Sequence, residues 1–289
     1  MTVGLIDVDG HNFPNLALMK ISAWHKAAGD HVEMAFPLSR YDRVYASKVF
    51  TFTQDVDWEP MTDEFIQGGS GYDLANRLPD EIEHITPDYS LYGITDTAFG
   101  FLTRGCPRGC PFCIVAEKEG RACRKVADLS EWWSGQKNIV LLDPNITASV
   151  DCIDLLGQLA ESRATVDFSQ GLDVRLMTDE KIAAVSRVRT KRIHFAWDGQ
   201  EDLSHHFRRI AEAMTVPLRG HRLSVYVLVN FNTSLGWDLH RIYTLRDLGF
   251  DPFVMVYDRV NAPGEILRLQ RWCNNKFLFK SVKRFEDLK

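Results

Sequence analysis

The sequence predicts an α/β protein in which a small parallel-sheet domain precedes a larger barrel-like domain of repeated strand–helix units. Short apolar runs of strand length alternate with longer segments whose apolar residues recur at helical spacing. Beyond Ala98 the alternation becomes regular enough to count six units in series. Between the two regions lies a connector punctuated by Pro79 and Pro87, and a proline disfavours helix in the residue before it.

In the first region, residues 3–8 form an apolar strand-like run, followed by Gly10 and Asn12. Residues 15–26 read as a helix, with Leu16, Met19, Ala23 and Ala27 on one stripe and Gly29-Asp30 ending it. Strand-like runs follow at residues 31–36 and 43–52, and Phe65-Ile66 leads into the turn Gly68-Gly69-Ser70-Gly71. The connector at residues 86–92 places a domain boundary near residue 93, giving domains 1–93 and 94–260 with an extension at 261–289.

In the second region the strand candidates are residues 98–103, 138–142, 165–169, 192–197, 223–229 and 252–257. Helix-like stretches lie at 128–135, 149–161, 179–188, 203–214 and 237–248. Ser149 and Thr178 are candidate N-caps, and Gly249 stands just past a helix end. The lysine- and aromatic-rich tail from Trp272 is expected to pack back on the domain or cover one end of it.

The chain has 289 residues, 45% hydrophobic and 25% charged, which leaves ample material for a full core. A net charge of −5 gives no general attraction to nucleic acid or anionic membrane, though a local basic groove is compatible with it. Residues 1–7 lack the basic start and apolar run of a secretory signal, so the expected location is the cytoplasm. The longest apolar runs, such as 225–229, are strand-sized, so no membrane insertion is expected.

Six cysteines without a secretory signal read as ligands and buried thiols. Cys106, Cys110 and Cys113 stand on one loop at the carboxyl end of the first strand of the second region, where parallel α/β folds build their sites. Thiolates are the usual ligands of iron–sulfur clusters, and a cubane takes four, so three would leave one iron open. A structural zinc site is the bland alternative, but such sites pair two Cys-x-x-Cys knuckles, and no second knuckle occurs. Cys123, Cys152 and Cys273 are scattered and read as buried thiols, and His205-His206 as part of a solvated helix face.

The segment Cys106-Pro107-Arg108-Gly109-Cys110-Pro111-Phe112-Cys113 resembles the signature of the radical S-adenosylmethionine (SAM) superfamily, C-x3-C-x2-C with an aromatic before the last cysteine, here Phe112. The resemblance implies a [4Fe-4S] cluster on the three cysteines and a SAM chelated to the open iron. Reductive cleavage of that SAM would give a 5′-deoxyadenosyl radical acting on a substrate the sequence does not identify. It also implies a partial (β/α)6 TIM-like barrel and an electron donor of the flavodoxin or ferredoxin type. Carried over position by position, Asp143 or Asn145 would face the methionyl amine, although a turn after the strand explains Asp143-Pro144-Asn145 equally well. Arg175 would pair with the carboxylate, Gln170 and Asp198 would meet ribose or substrate, and Asn230 the adenine edge. Surface ion pairing is the bland reading of Arg175, and helix capping that of Asp198 and Asn230.

The first region resembles the Rossmann-like, cobalamin-binding-type domain that precedes many radical SAM barrels. Its fingerprint is Asp-x-His-x-x-Gly, and Asp9-Gly10-His11-Asn12-Phe13-Pro14 supplies the Asp and His but has Pro14 for the glycine. Gly68-Gly69-Ser70-Gly71 stands where a late glycine turn would face the nucleotide tail. The expectation is a degenerate domain, with cobalamin-dependent methyl transfer as the alternative. Methylthiotransferases carry three more cysteines in this domain, and none precedes Cys106 here. A non-catalytic iron–sulfur or zinc module is the rival from another class. Lys118, Arg121, Arg124 and Lys125 leave nucleic acid undecided as a partner.

Overall fold

The computed structural model describes residues 1–10, 13–213 and 222–288, with the side chain of Arg222 left out. His11 and Asn12 of the fingerprint, and Met214 at the end of the predicted helix 203–214, lie outside the described residues. The fold is mixed α/β with parallel sheets, and the chain divides into two compact units, Met1–Val140 and Leu141–Lys289.

The first unit opens on β1 (Thr2–Asp7), whose Val3, Leu5 and Ile6 are buried, as suits a strand with neighbours on both sides. Helix α1 (Leu16–Ala27) follows, and the side chain of Asn15 caps it by accepting from the Leu18 amide at 3.2 Å. Then come β2 (His31–Met34), β3 (Arg40–Ser47) and β4 (Met61–Gly68). They form one parallel sheet in the order β2-β1-β3-β4, with Val3 opposite both Val32 and Arg43. This is a Rossmann-like order with one crossover helix, because the connections at 35–39 and 48–60 carry none. Two expectations fail here. The run 43–52 stops as a strand at Ser47, and β4 was legible only as Phe65-Ile66, because an edge strand with half-exposed side chains shows no apolar alternation.

The connector holds α2 (Asp80–Glu83) and a 3-10 turn at Tyr89–Tyr92. It is pinned by hydrogen bonds: the Tyr92 hydroxyl donates to Asp7 at 2.7 Å, and Ser22 and Lys26 of α1 both donate to Asp88 at 2.6 Å. Beyond it lie β5 (Thr97–Gly100), β6 (Thr103–Arg104), α3 (Val115–Glu119), β7 (Arg124–Lys125) and β8 (Asn138–Leu141), and β8 neighbours β5. The helix predicted over 128–135 is only a 3-10 turn at Leu129–Glu131, closed by a reciprocal capping box between Asp128 and Glu131. A good start signal without a following apolar stripe propagates no helix.

The second unit alternates α4 (Cys152–Glu161), β9 (Thr165–Phe168), α5 (Asp179–Arg187), β10 (Arg192–Ala196), α6 (Ser204–Ala213), β11 (Arg222–Val229), α7 (Leu235–Asp247) and β12 (Asp251–Val256). Strands β10, β11 and β12 pair in parallel in that order. A bridge between Leu172 and Phe195 brings the chain after β9 alongside β10. Ile193, Phe195, Val225, Val227 and Val254 are fully buried on one face, and Leu155, Leu156 and Leu159 of α4 likewise have no exposed surface. Truncating any one of these leucines to alanine would cost about 2–5 kcal/mol. Thr178 caps α5 through the Lys181 amide at 3.3 Å. Ser149 does not cap α4, which starts at Cys152; its hydroxyl accepts instead from the Asp151 amide at 3.2 Å. The tail forms α8 (Gly264–Asn274) and α9 (Lys276–Ser281). Asn274 exchanges two hydrogen bonds with the Val254 backbone, and the buried Trp272 indole donates to the Val282 carbonyl at 2.9 Å.

Candidate functional site

The three clustered cysteines lie in a closed loop of the first unit. Its neck is the antiparallel pair β6 and β7, with Thr103 opposite Lys125 and Arg104 opposite Arg124. Gly105 leaves the neck at φ +89°, and a Cβ there would stand 2.2 Å from the Ala122 carbonyl oxygen, so only glycine lets the two sides of the loop approach. Inside the loop the Cys106 amide donates to the Gly120 carbonyl at 3.1 Å, and the Cys113 amide to the Cys110 carbonyl at 2.9 Å. That second bond folds Cys110-Pro111-Phe112-Cys113 into a tight turn that sets two thiols on one bend. Cys113 is exposed, while Cys106, Cys110 and Phe112 are half-buried.

The donor set is three sulfurs on a short, glycine-bearing loop, which fits an iron–sulfur cluster. Among the described residues no three Cys, His, Asp or Glu side chains converge on a single-ion site. A cubane would bind each thiolate through a different iron.

The remaining candidates fall in the second unit, on the loops after the strands. Asp143 and Asn145, after β8, are both buried. The Asn145 side chain accepts from the Thr147 hydroxyl at 2.6 Å and donates to Asp173 at 3.4 Å. Asp173 in turn accepts from the Arg175 Nε at 2.8 Å, and the other end of that guanidinium reaches Glu201 at 3.0 Å. Asn145 and Arg175 are thus brought together through Asp173. Burial works against the Arg175 charge, but its hydrogen bond and ion pair with Asp173, helped by Glu201, outweigh it and raise its pKa. Gln170 is exposed at the turn before Gly171.

The last two candidates tie neighbouring strand ends. Asp198, after β10, accepts from the Leu228 amide of β11 at 3.1 Å. Burial pushes its carboxyl above the usual range, with the Leu228 amide and Arg241 pulling the other way. Asn230, after β11, sits at φ +65° and donates to the Tyr257 carbonyl at 2.9 Å. Neither caps a helix: Ser234 caps α7 through the Trp237 amide.

Sequence reasoning missed Asp173, Glu201 and the pair Asp238 and Arg241. Arg241 is fully buried on α7, donates to the carbonyls of Trp197 and Leu228, and pairs with Asp238. A charged residue on a helix reads as solvated unless its partners are known, so the i,i+3 spacing of Asp238 and Arg241 was the one available signal.

In the N-terminal sheet, Asp9 is spent on the loop after β3. Its carboxylate accepts from the Val49 amide at 2.6 Å, the Phe50 amide at 3.3 Å and the Thr53 hydroxyl at 2.7 Å. Gly69, at φ +98°, lies so close to Lys48 that a Cβ would meet its carbonyl oxygen at 2.3 Å. The glycine turn therefore serves loop-on-loop packing.

No family model and no curated protein matches the chain. Among solved structures it is similar to the radical SAM methyltransferase TsrM from Kitasatospora setae with cobalamin and a [4Fe-4S] cluster bound. The TM-score is 0.65 at 10% identity, over 88% of this chain and 74% of that one. The same enzyme with tryptophan substrate and the SAM analogue aza-SAM gives 0.65 at 11% identity, over 88% and 72%. At this identity the likeness establishes a shared fold.

Proposed function

We propose that the chain is a radical SAM enzyme whose cluster is held by Cys106, Cys110 and Cys113. The observation that carries this reading is the closed three-thiol loop in a chain that shares the fold of a radical SAM methyltransferase. When bound, the cluster and SAM supply a 5′-deoxyadenosyl radical that abstracts hydrogen from substrate, and the protein supplies orientation and exclusion of water. In this reading Phe112 shields the cluster loop. Asp143 or Asn145 accepts from the methionyl ammonium. Arg175 offers its guanidinium to the carboxylate in exchange for Glu201, whose side chain is 58% exposed. Gln170, Asp198 and Asn230 meet the ribose and adenine. A one-electron donor of the flavodoxin or ferredoxin type completes the system, and the division at residues 93 and 260 belongs to the same reading.

A second reading, cobalamin-dependent methyl transfer, is favoured by one observation: TsrM, which shares the fold, holds cobalamin in its structure. Against it stand Pro14 in the fingerprint and the use of Asp9 and Gly69 in loop packing.

The test is anaerobic reconstitution with iron and sulfide, then SAM and a reductant, with chromatography for 5′-deoxyadenosine. Nucleoside formation that each of Cys106→Ala, Cys110→Ala and Cys113→Ala abolishes supports the enzyme. A cluster that neither binds nor cleaves SAM favours the non-catalytic module. Corrinoid retained after gel filtration, and methylcobalamin consumed in turnover, would move the assignment to the second reading.

A further inference from the structure

We infer that Glu119 is a positioning residue that latches the cysteine loop and ties it to the N-terminal sheet's helix, an inference that rests on the cluster reading above. Its carboxylate takes two consecutive residues where the chain enters the loop. One oxygen accepts from the Arg104 guanidinium at 2.8 Å, and the other accepts from the Gly105 amide at 3.0 Å, the residue before the first cysteine. Its own carbonyl accepts from Arg124 at 2.9 Å, on the opposite side of the neck. The Glu119 side chain is only 10% exposed, so these are sheltered bonds to a charged acceptor.

The latch continues inward. The Arg104 guanidinium lies 3.7 Å from the Phe101 ring centroid and reaches Glu83 of α2 at 3.4 Å. The same Glu83 oxygen takes the Lys20 ammonium at 3.0 Å, and Lys20 stands on α1, which packs on β1. Lys20, Glu83, Arg104 and Glu119 therefore alternate in sign, and the chain of charges ends on backbone groups, the Glu83 carbonyl that accepts from Lys20 and the Gly105 amide that donates to Glu119. Three thiolates brought onto one short loop repel one another, and ordering each loop residue costs conformational entropy. A loop closed in advance at both neck and mouth meets the cluster with part of that cost already met. Only a carboxylate serves here. Glutamine in the same place can keep one acceptor contact but must turn its NH2 toward a second donor.

The experiment uses the full chain with Glu119→Gln and, as control, Glu117→Gln, an exposed carboxylate on the same short helix. Two quantities are read: deuterium exchange at the Gly105 and Cys106 amides in the iron-free protein, and the rate of iron loss to a chelator after anaerobic reconstitution. In Glu119→Gln the Gly105 amide is expected to exchange roughly tenfold faster, as follows from losing a hydrogen bond to a charged group. Iron loss is expected to accelerate with it, while Glu117→Gln matches the parent in both. Exchange and iron loss unchanged in a folded Glu119→Gln protein would overturn the latch. If that variant fails to fold, Glu83→Gln carries the test: faster loop exchange supports the relay, and parental exchange overturns it. A parent protein that takes up no iron sinks the cluster reading, while the exchange arm still decides the latch.

Discussion

Asp238 and Arg241 stand one turn apart on α7 with neither side chain exposed, the carboxylate 2.5 Å from the guanidinium. The same Nη2 that pairs with Asp238 also donates to the Leu228 carbonyl, and Nη1 donates to the Trp197 carbonyl, so a single arginine joins the ends of β10 and β11. Burial pushes the Arg241 pKa down and the Asp238 pKa up, with mutual pairing opposing both.

Arg241→Met strands a buried carboxylate and two carbonyls, and is expected to destabilise the fold by about 3–5 kcal/mol. Adding Asp238→Leu should restore much of the loss, because an apolar pair removes the unpaired charge. Urea denaturation of the single and double variants checks this. A double variant no more stable than Arg241→Met would show that the carbonyl contacts dominate.

Asp198 predicts a pH dependence of definite sign. Its carboxyl binds a proton more tightly in the folded state, so its contribution to stability is full below the ordinary carboxylate pKa of about 4 and is lost as pH rises through the folded value. Asparagine keeps an acceptor for the Leu228 amide and has no charge to desolvate. The stability of Asp198→Asn relative to the parent should therefore rise between acid and neutral pH. Unfolding midpoints measured across that range provide the check, and a flat difference would contradict it.

The six thiols should separate by reactivity. Cys273 is fully buried, and burial pushes its thiol up to about 12. In the native iron-free protein at about pH 8, near an ordinary thiol's pKa, iodoacetamide should label the exposed Cys113 while Cys273 and the buried Cys152 stay protected until denaturant is added. Peptide mass spectrometry reads the order directly. Early labelling of Cys273 would mean that α8 opens from β12 far more readily than its packing implies.

Gly105→Ala should abolish cluster retention with little effect on the N-terminal sheet. The added methyl meets the Ala122 carbonyl at 2.2 Å in a backbone conformation that disfavours side chains, a strain of about 1–3 kcal/mol before the clash is counted. Iron per chain after reconstitution measures the loss, and circular dichroism confirms that the fold survives. Normal iron content would show the neck to be adaptable.

What the sequence disclosed depends on which physical signal each residue carries. Strand–helix alternation beyond Ala98 was visible because the buried strands carry apolar residues at alternate positions or in runs: Ile193 and Phe195, and Val225 and Val227, declare themselves. The three cysteines were visible because their spacing stands out in the sequence without reference to any partner. Strand β4 escaped because its edge position leaves it half polar, and the stretch 128–135 misled because Asp128 and Glu131 form a genuine capping box with no helix behind it. Asp173 and Glu201 escaped for another reason. Glu201 meets Arg175 across 26 residues, a pairing that no local pattern announces, and Asp173 stands two residues from Arg175 in a turn where nothing in the sequence marks the contact; together they leave Arg175 a guanidinium bridged by two carboxylates.

The two-rung neck of β6 and β7 has a consequence for engineering. Because the chain enters and leaves the cysteine loop through residues directly opposite each other, both ends of the segment between Arg104 and Arg124 are held at one place in the fold. A redrawn loop of other length or cysteine spacing would have to keep the glycine after Arg104 and a carboxylate that returns to meet it.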